Sequence, residues 1–236
     1  MKKICVLANS HIGAVTRGMG LLQESEVSQF SERIDFYRFY NLQGNLYYKD
    51  GLLKPKNGDI SYYLHLNFGK YHINLDDYDC VVSYGGRLMS NPDGWIQHVK
   101  DYVSGRYSSA VLRQSHIDDI EVSQAVKLMS DISNSDVYKG KSLILPSPIP
   151  NEKHWGFKSV KSQIPEYMDY IESIYQDYFS KTAMQFSTLP RELLSDNGYA
   201  VDARFKVDTE KDFMHLNNLG GSIVASKLLS LLDASR

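Results

Sequence analysis

The amino-acid sequence predicts a doubly wound α/β sandwich, and three observations carry that expectation. Short apolar runs such as "KKICVLA", "YDCVVSYGG" and "KSLILP" recur along the chain, each stopped by small polar residues, glycine or proline, as the buried strands of a parallel sheet are. Helical stretches separate them, and alternation of the two predicts a parallel sheet with helices on both faces. One segment, residues 41–75, breaks the rhythm with hairpin signals. At 236 residues and 42% hydrophobic content, the chain can bury one large core, so residues 1–236 are expected to form one domain with a β-rich insertion at about 41–75.

In order, residues 2–8 read as the first strand. The stretch "HIGAVTRGMGLLQESE" follows, with Ile12, Val15, Met19 and Leu22 at helical spacing in spite of its glycines. Residues 33–40, "RIDFYRFY", alternate as a second strand. In the insertion, Asp50-Gly51 is a hairpin signal, and "ISYYLHLNF" and "YHINL" are expected to add antiparallel strands. Residues 78–86 form a further central strand ending in a glycine turn. Helices are expected at 92–104, opening on Pro92, and at roughly 117–131. A strand at "KSLILP" is stopped by Pro146, Pro148 and Pro150. A long helix over about 163–181, a loop-rich region at 189–205 and a last helix over about 217–234, with Ile223, Leu228 and Leu231 on one stripe, complete the chain.

Composition excludes several functions. Net charge is -2 and the 26 Lys and Arg are scattered, which leaves no electrostatic footprint for nucleic acid. No run of roughly 18 apolar residues marks a membrane span, and the first residues lack signal-peptide character, so a cytoplasmic protein is expected. Cys5 and Cys80 sit in apolar strand-like runs without ligand spacing and read as reduced core thiols. His65, His72, His98 and His116 show no ligand spacing among themselves and read as structural or exposed. No metal and no cofactor is expected. "GAVTRGMG" has glycines but neither the dinucleotide-binding spacing nor a phosphate-loop lysine. The 17 tyrosines, many between Tyr37 and Tyr84, are compatible with a sticky surface or a carbohydrate-facing groove, but the strand preference of Tyr explains most of them.

Chemistry enters at the two ends of the chain. Ligands of open α/β sheets bind beyond the carboxyl ends of the strands, and Ser10 stands there, in "ANSH" after the first strand. A serine before a helix is also an ordinary N-cap. Near the other end, "KDFMHLNNLGG" places Asp212 three residues before His215, close enough for a carboxylate to orient an imidazole. Such a histidine can take the proton of a serine hydroxyl.

A serine after the first strand, a glycine turn after a middle strand and Asp-x-x-His before the final helix resemble the SGNH (GDSL-type) hydrolase and acyltransferase superfamily. The motifs fall in family order over the whole chain, and Ser10-His11 is similar to the "NSH" variant of polysaccharide-modifying members. The resemblance implies a flavodoxin-like three-layer α/β/α sandwich with a central parallel sheet. It implies Ser10 as nucleophile, His215 as general base and Asp212 as its orienter. The chain departs from the family in two places: Gly-Asp-Ser appears as Ala8-Asn9-Ser10, and after Gly85-Gly86 the oxyanion asparagine is replaced by Arg87. Loss of one oxyanion donor commonly costs about two to three orders of magnitude in rate. The remaining donors would be the Ser10 N–H and Gly44, with Gly86 and Arg87 at the turn and Trp155 lining the substrate groove beside His154.

The implied activity is that of a serine esterase or O-acyltransferase acting through a covalent acyl-enzyme. Its substrate would be a small-molecule or carbohydrate ester, acetyl on a polysaccharide precursor foremost, with an acyl donor such as acetyl-CoA if transfer prevails. The competing reading is a non-catalytic carbohydrate-binding or assembly protein on a degenerate SGNH scaffold, motivated by Arg87 and the altered Gly-Asp.

Overall fold

A computed structural model of the chain describes residues 3–38, 42–86, 88, 92–147, 164–195, 201–207 and 215–233. Strand β1 (Ile4–Ala8) is followed by α1 (Ile12–Gly18), a 3₁₀ turn at Met19–Leu21, α2 (Glu24–Arg33) and β2 (Ile34–Arg38). The insertion comprises α3 (Leu42–Asn45), β3 (Leu46–Lys49), β4 (Leu52–Pro55), α4 (Gly58–Phe68) and β5 (Ile73–Asn74). After it come β6 (Cys80–Gly86), α5 (Pro92–Ser104), α6 (Ser109–Val122), α7 (Gln124–Ser133) and β7 (Lys141–Pro146). The chain continues through α8 (Ile164–Ser180), β8 (Gln185–Phe186), 3₁₀ turns at Arg191–Leu193 and Ala203–Phe205, and α9 (Asn218–Asp233).

The main sheet has the order β2-β1-β6-β7-β8, with every neighbouring pair parallel. The chain steps from β1 to one edge and then crosses to the other side, so the order reverses at β1. In sheets of this class the reversal opens a crevice at the carboxyl ends of the strands on either side of it. Here those strands are β1 and β6, the two that end at Asn9-Ser10 and Gly85-Gly86.

Every residue of β1 is buried, which is why its run carries no polar alternation. Successive side chains point to opposite faces. Ile4, Val6 and Ala8 pack with Ile12 and Val15 of α1 and with Val224, Ala225 and Leu228 of α9. Cys5 and Leu7 pack into the other core, with Met129 and Ile132 of α7 and Ile171 and Ile174 of α8. Two cores on two faces make the three layers.

Four local expectations differ from the structure. "ISYYLHLNF", expected as a strand, is helix α4. Asn57 Oδ1 accepts from Ile60 N at 3.0 Å, Gly69 ends the helix with φ 66°, and Ile60 and Leu64 bury one face. The caps and the four-residue spacing of the buried pair outweigh the strand preference of Tyr. The helix expected over 117–131 is two, α6 and α7, broken at Ser123 with ψ 125°. The first helix stops at Gly18 instead of running through "GLLQESE". The two-residue strand β8 lies between the helix expected to end at about 181 and the loop-rich stretch from Leu189, where no strand is expected. The hairpin expectation holds: Asp50 and Gly51 both take positive φ, 53° and 80°, as a type I′ turn requires, and β3-β4-β5 form an antiparallel sheet. No helix among the described residues is long and apolar enough to cross a membrane.

Candidate active site

Asn9, Ser10 and His11 form the turn between β1 and α1. The capping position falls on His11, and no side chain caps α1; the first-turn bonds are main-chain ones, Ile12 N to Asn9 O and Gly13 N to Ser10 O. The Ser10 hydroxyl therefore does not serve as an N-cap. It faces His215 instead, with Oγ and Nε2 2.8 Å apart. Ser10 is exposed while His11 is buried, and the His11 ring lies 4.8 Å from that of His215, tilted by 36°. An accessible hydroxyl bonded to an imidazole nitrogen is the pairing needed to remove a proton during nucleophilic attack.

Asn9 holds the turn. Its Oδ1 accepts from His11 N at 3.1 Å, an Asx turn, and its Nδ2 donates to Gly85 O at 2.5 Å. Gly85 O also accepts from Ser147 Oγ at 2.6 Å, so one carbonyl ties together the ends of β1, β6 and β7. Gly85 has φ 72°, and a Cβ there would lie 2.6 Å from Asn9 Oδ1; only glycine suits this position. The Asn9 side chain thus locks the serine turn.

His215 is brought in from the far end of the chain by a short antiparallel bridge, Lys206 with Leu216, in which Val207 N donates to His215 O at 3.2 Å. Asn217 fixes this approach. Its Oδ1 accepts from Gly220 N at 3.0 Å, capping α9, while its Nδ2 donates to Arg204 O and Lys206 O at 2.7 and 3.1 Å. The two helices are then locked backbone to backbone. A Cβ on Gly18 would meet Ser222 N at 2.3 Å, and one on Gly221 would meet Ala14 O at 2.0 Å. Arg17 Nε donates across the same seam to Asn218 Oδ1 at 3.1 Å. Glycines at this crossing let α1, which follows the serine, and α9, which follows the histidine, approach as no other residue would allow.

Of the other sequence-predicted residues, Gly44 lies in α3, where its carbonyl accepts from Lys56 Nζ at 2.9 Å. Its neighbour Gln43 is buried and donates to Leu7 O at 3.1 Å, which pins α3 to the end of β1. Gly86 is a packing position: a Cβ would lie 2.7 Å from that of Ala125 in α7. Asp212, Arg87 and Trp155, with His154, lie outside the described residues. Sequence reasoning missed Asn217, Asn9 as a clamp, and the Gly18–Gly221 contact. Asn217 carried a readable signal, an asparagine just before a helical run. The glycine contact carried none, because it pairs positions some two hundred residues apart.

No protein-family model matches the chain, and no curated protein matches it. Among solved structures, it is similar to a GDSL-like lipase from Bacteroides thetaiotaomicron, at 14% identity over 100% of this chain and 89% of that one, with a TM-score of 0.46. It is also similar to a carbohydrate acetylesterase family member from Sinorhizobium meliloti, at 14% identity, 99% and 98% coverage and a TM-score of 0.43. An acetyl xylan esterase is similar at 16% identity, 98% and 99% coverage and a TM-score of 0.42.

Proposed function

We propose that the chain is a serine-dependent esterase or O-acyltransferase of the SGNH type, with Ser10 as nucleophile and His215 as general base. The observation that carries this reading is the 2.8 Å contact between Ser10 Oγ and His215 Nε2, at the crevice where the strand order reverses. In the proposed cycle Ser10 Oγ attacks the carbonyl carbon of an ester while its proton passes to His215 Nε2. The tetrahedral intermediate collapses, His215 returns the proton to the departing alkoxide oxygen, or to the thiolate sulfur where acetyl-CoA is the donor, and the acyl group remains on Ser10. Water then releases the acid, or a sugar hydroxyl takes the acyl group, with His215 accepting the proton of the attacking hydroxyl and returning it to Ser10 Oγ as that oxygen leaves. Asp212 is assigned the orienting role at His215. The Ser10 and Gly44 main-chain N–H groups, with Arg87 at the Gly85-Gly86 turn, are assigned to the oxyanion, where fixed donors act on developing charge. The substrate we favour is an acetyl ester on a carbohydrate, with Trp155 as a face for the sugar and acetyl-CoA as a donor for transfer.

The test is intact mass after exposure to a fluorophosphonate, with peptide mapping, alongside hydrolysis of p-nitrophenyl acetate. One adduct on Ser10, absent in Ser10→Ala, and a fall in hydrolysis of about three orders of magnitude or more in that variant are expected. A folded protein that takes no adduct and loses nothing on Ser10→Ala would overturn the reading. Sugar binding that survives Ser10→Ala without any turnover would favour a binding scaffold in its place.

A further inference from the structure

A second cluster of chemically competent side chains lies where α5 meets α6. His116 and Asp119 are three residues apart on α6 and share a face, and His98 reaches them from α5. His98 Nε2 and Asp119 Oδ2 are 3.0 Å apart, the rings of His98 and His116 are 4.6 Å apart between centroids, and one donor atom from each of the three lies within 4.8 Å of the other two. His116 is 1% exposed. Its Nε2 makes a long contact of 3.4 Å to Tyr167 OH, and its Nδ1 has no hydrogen-bond partner among the described residues. A buried polar atom without a partner calls for an explanation, and an unseen ion is one of the few available.

We propose that His98, His116 and Asp119 form a binding site for a divalent first-row transition ion, zinc being the representative that fits the donors. Two imidazoles and one carboxylate suit such ions, whereas magnesium and calcium take oxygen sets. Bonds of about 2.0–2.2 Å place the donors of a tetrahedral site roughly 3.4 Å apart. His98 Nε2 and Asp119 Oδ2, 3.0 Å apart, need open by only a few tenths of an ångström, and donors separated by up to 4.8 Å close by at most about 1.4 Å on side-chain rotation. The ion leaves a fourth position for water and joins α5, the helix that follows β6, to α6. The sequence hid the site because the ligands come from separate helices, and His-x-x-Asp alone is ordinary surface spacing.

The test uses the full chain stripped with a chelator and titrated with Co²⁺, followed by its visible d–d bands, and with Zn²⁺ against a chromophoric competitor. One equivalent of each, bound with the intense visible bands of four-coordinate cobalt, is expected. His98→Gln and Asp119→Asn should each weaken binding at least about tenfold, whereas His215→Ala, at the other histidine pair, should bind as the parent does. No binding by the folded parent, or unchanged binding in folded His98→Gln and Asp119→Asn, overturns the proposal. Should either variant fail to fold by circular dichroism, paramagnetic shifts of the His98 and His116 ring protons in the cobalt-loaded parent decide: their presence supports the site and their absence rejects it.

Discussion

Replacing Gly221 by alanine tests how the two ends of the chain are held together. In an ordinary helix interior this change is favourable by up to about 1 kcal/mol. Here the added methyl would sit 2.0 Å from Ala14 O and 2.3 Å from Ala14 C, main-chain atoms that have no rotamer through which to yield. Restoring van der Waals separation requires α9 to move from α1 by roughly an ångström or more. Overpacking of this kind costs about 1–3 kcal/mol, equivalent to a fall in melting temperature of roughly 2–12 °C at about 2–4 °C per kcal/mol for a chain of this size. The same displacement carries His215, which enters α9 through Leu216 and Asn217, away from Ser10. A contact of 2.8 Å opened by an ångström is no longer a hydrogen bond, and a misplacement of that size costs about 100-fold in rate. Thermal unfolding read together with the rate of fluorophosphonate labelling at Ser10 makes the measurement. An unchanged or raised melting temperature with unchanged labelling would refute the argument that this glycine seam sets the site.

Three further outcomes are expected. Asn217→Ala removes the cap of α9 and two bonds to the 201–207 segment; it should destabilise by about 2 kcal/mol and lower kcat more than KM, while Asn217→Asp, which keeps the cap oxygen, should restore part of the stability. Gly85→Ala meets both a positive φ and Asn9 Oδ1, so a loss of about 1–3 kcal/mol and slowed acylation are expected in denaturant unfolding and steady-state kinetics. Burial pushes the Cys80 thiol up to about 12 and Cys5 well above its ordinary value; a raised pKa leaves little thiolate near pH 8, so iodoacetamide should modify neither in the folded protein and both in denaturant, by intact mass.

Much of the architecture follows from local pattern. The buried run of β1, the type I′ turn at Asp50-Gly51 and the helix opening at Pro92 each rest on neighbours within a few residues, and periodicity reports such neighbours directly. Ser10 and His215 were readable for a different reason: a small polar cluster that stops a buried strand, and a histidine before a final helix, stand out against their surroundings. What the pattern could not weigh was competition. The "ISYYLHLNF" stretch has strand-forming residues in a helix-capped frame, and the caps at Asn57 and Gly69 together with the burial of Ile60 and Leu64 against the core settle it as helix. At Ser123 the chain changes partners, α6 packing on α5 and α8 and α7 on β6 and β7, which no window of sequence contains.

The amino-acid sequence by itself determined the alternation of strand and helix, the polar turn that ends β1, and the places of Ser10 before the first helix and His215 before the last. The tertiary structure alone decided which of these meet: Ser10 with His215, Gly18 with the Gly221 segment, Asn9 with Gly85, and His98 with His116 and Asp119. The physical reason is the range of the forces. Periodicity and capping act within a turn or two of chain, whereas close approach is set by how two packed helices share a seam, and that depends on every residue buried between them.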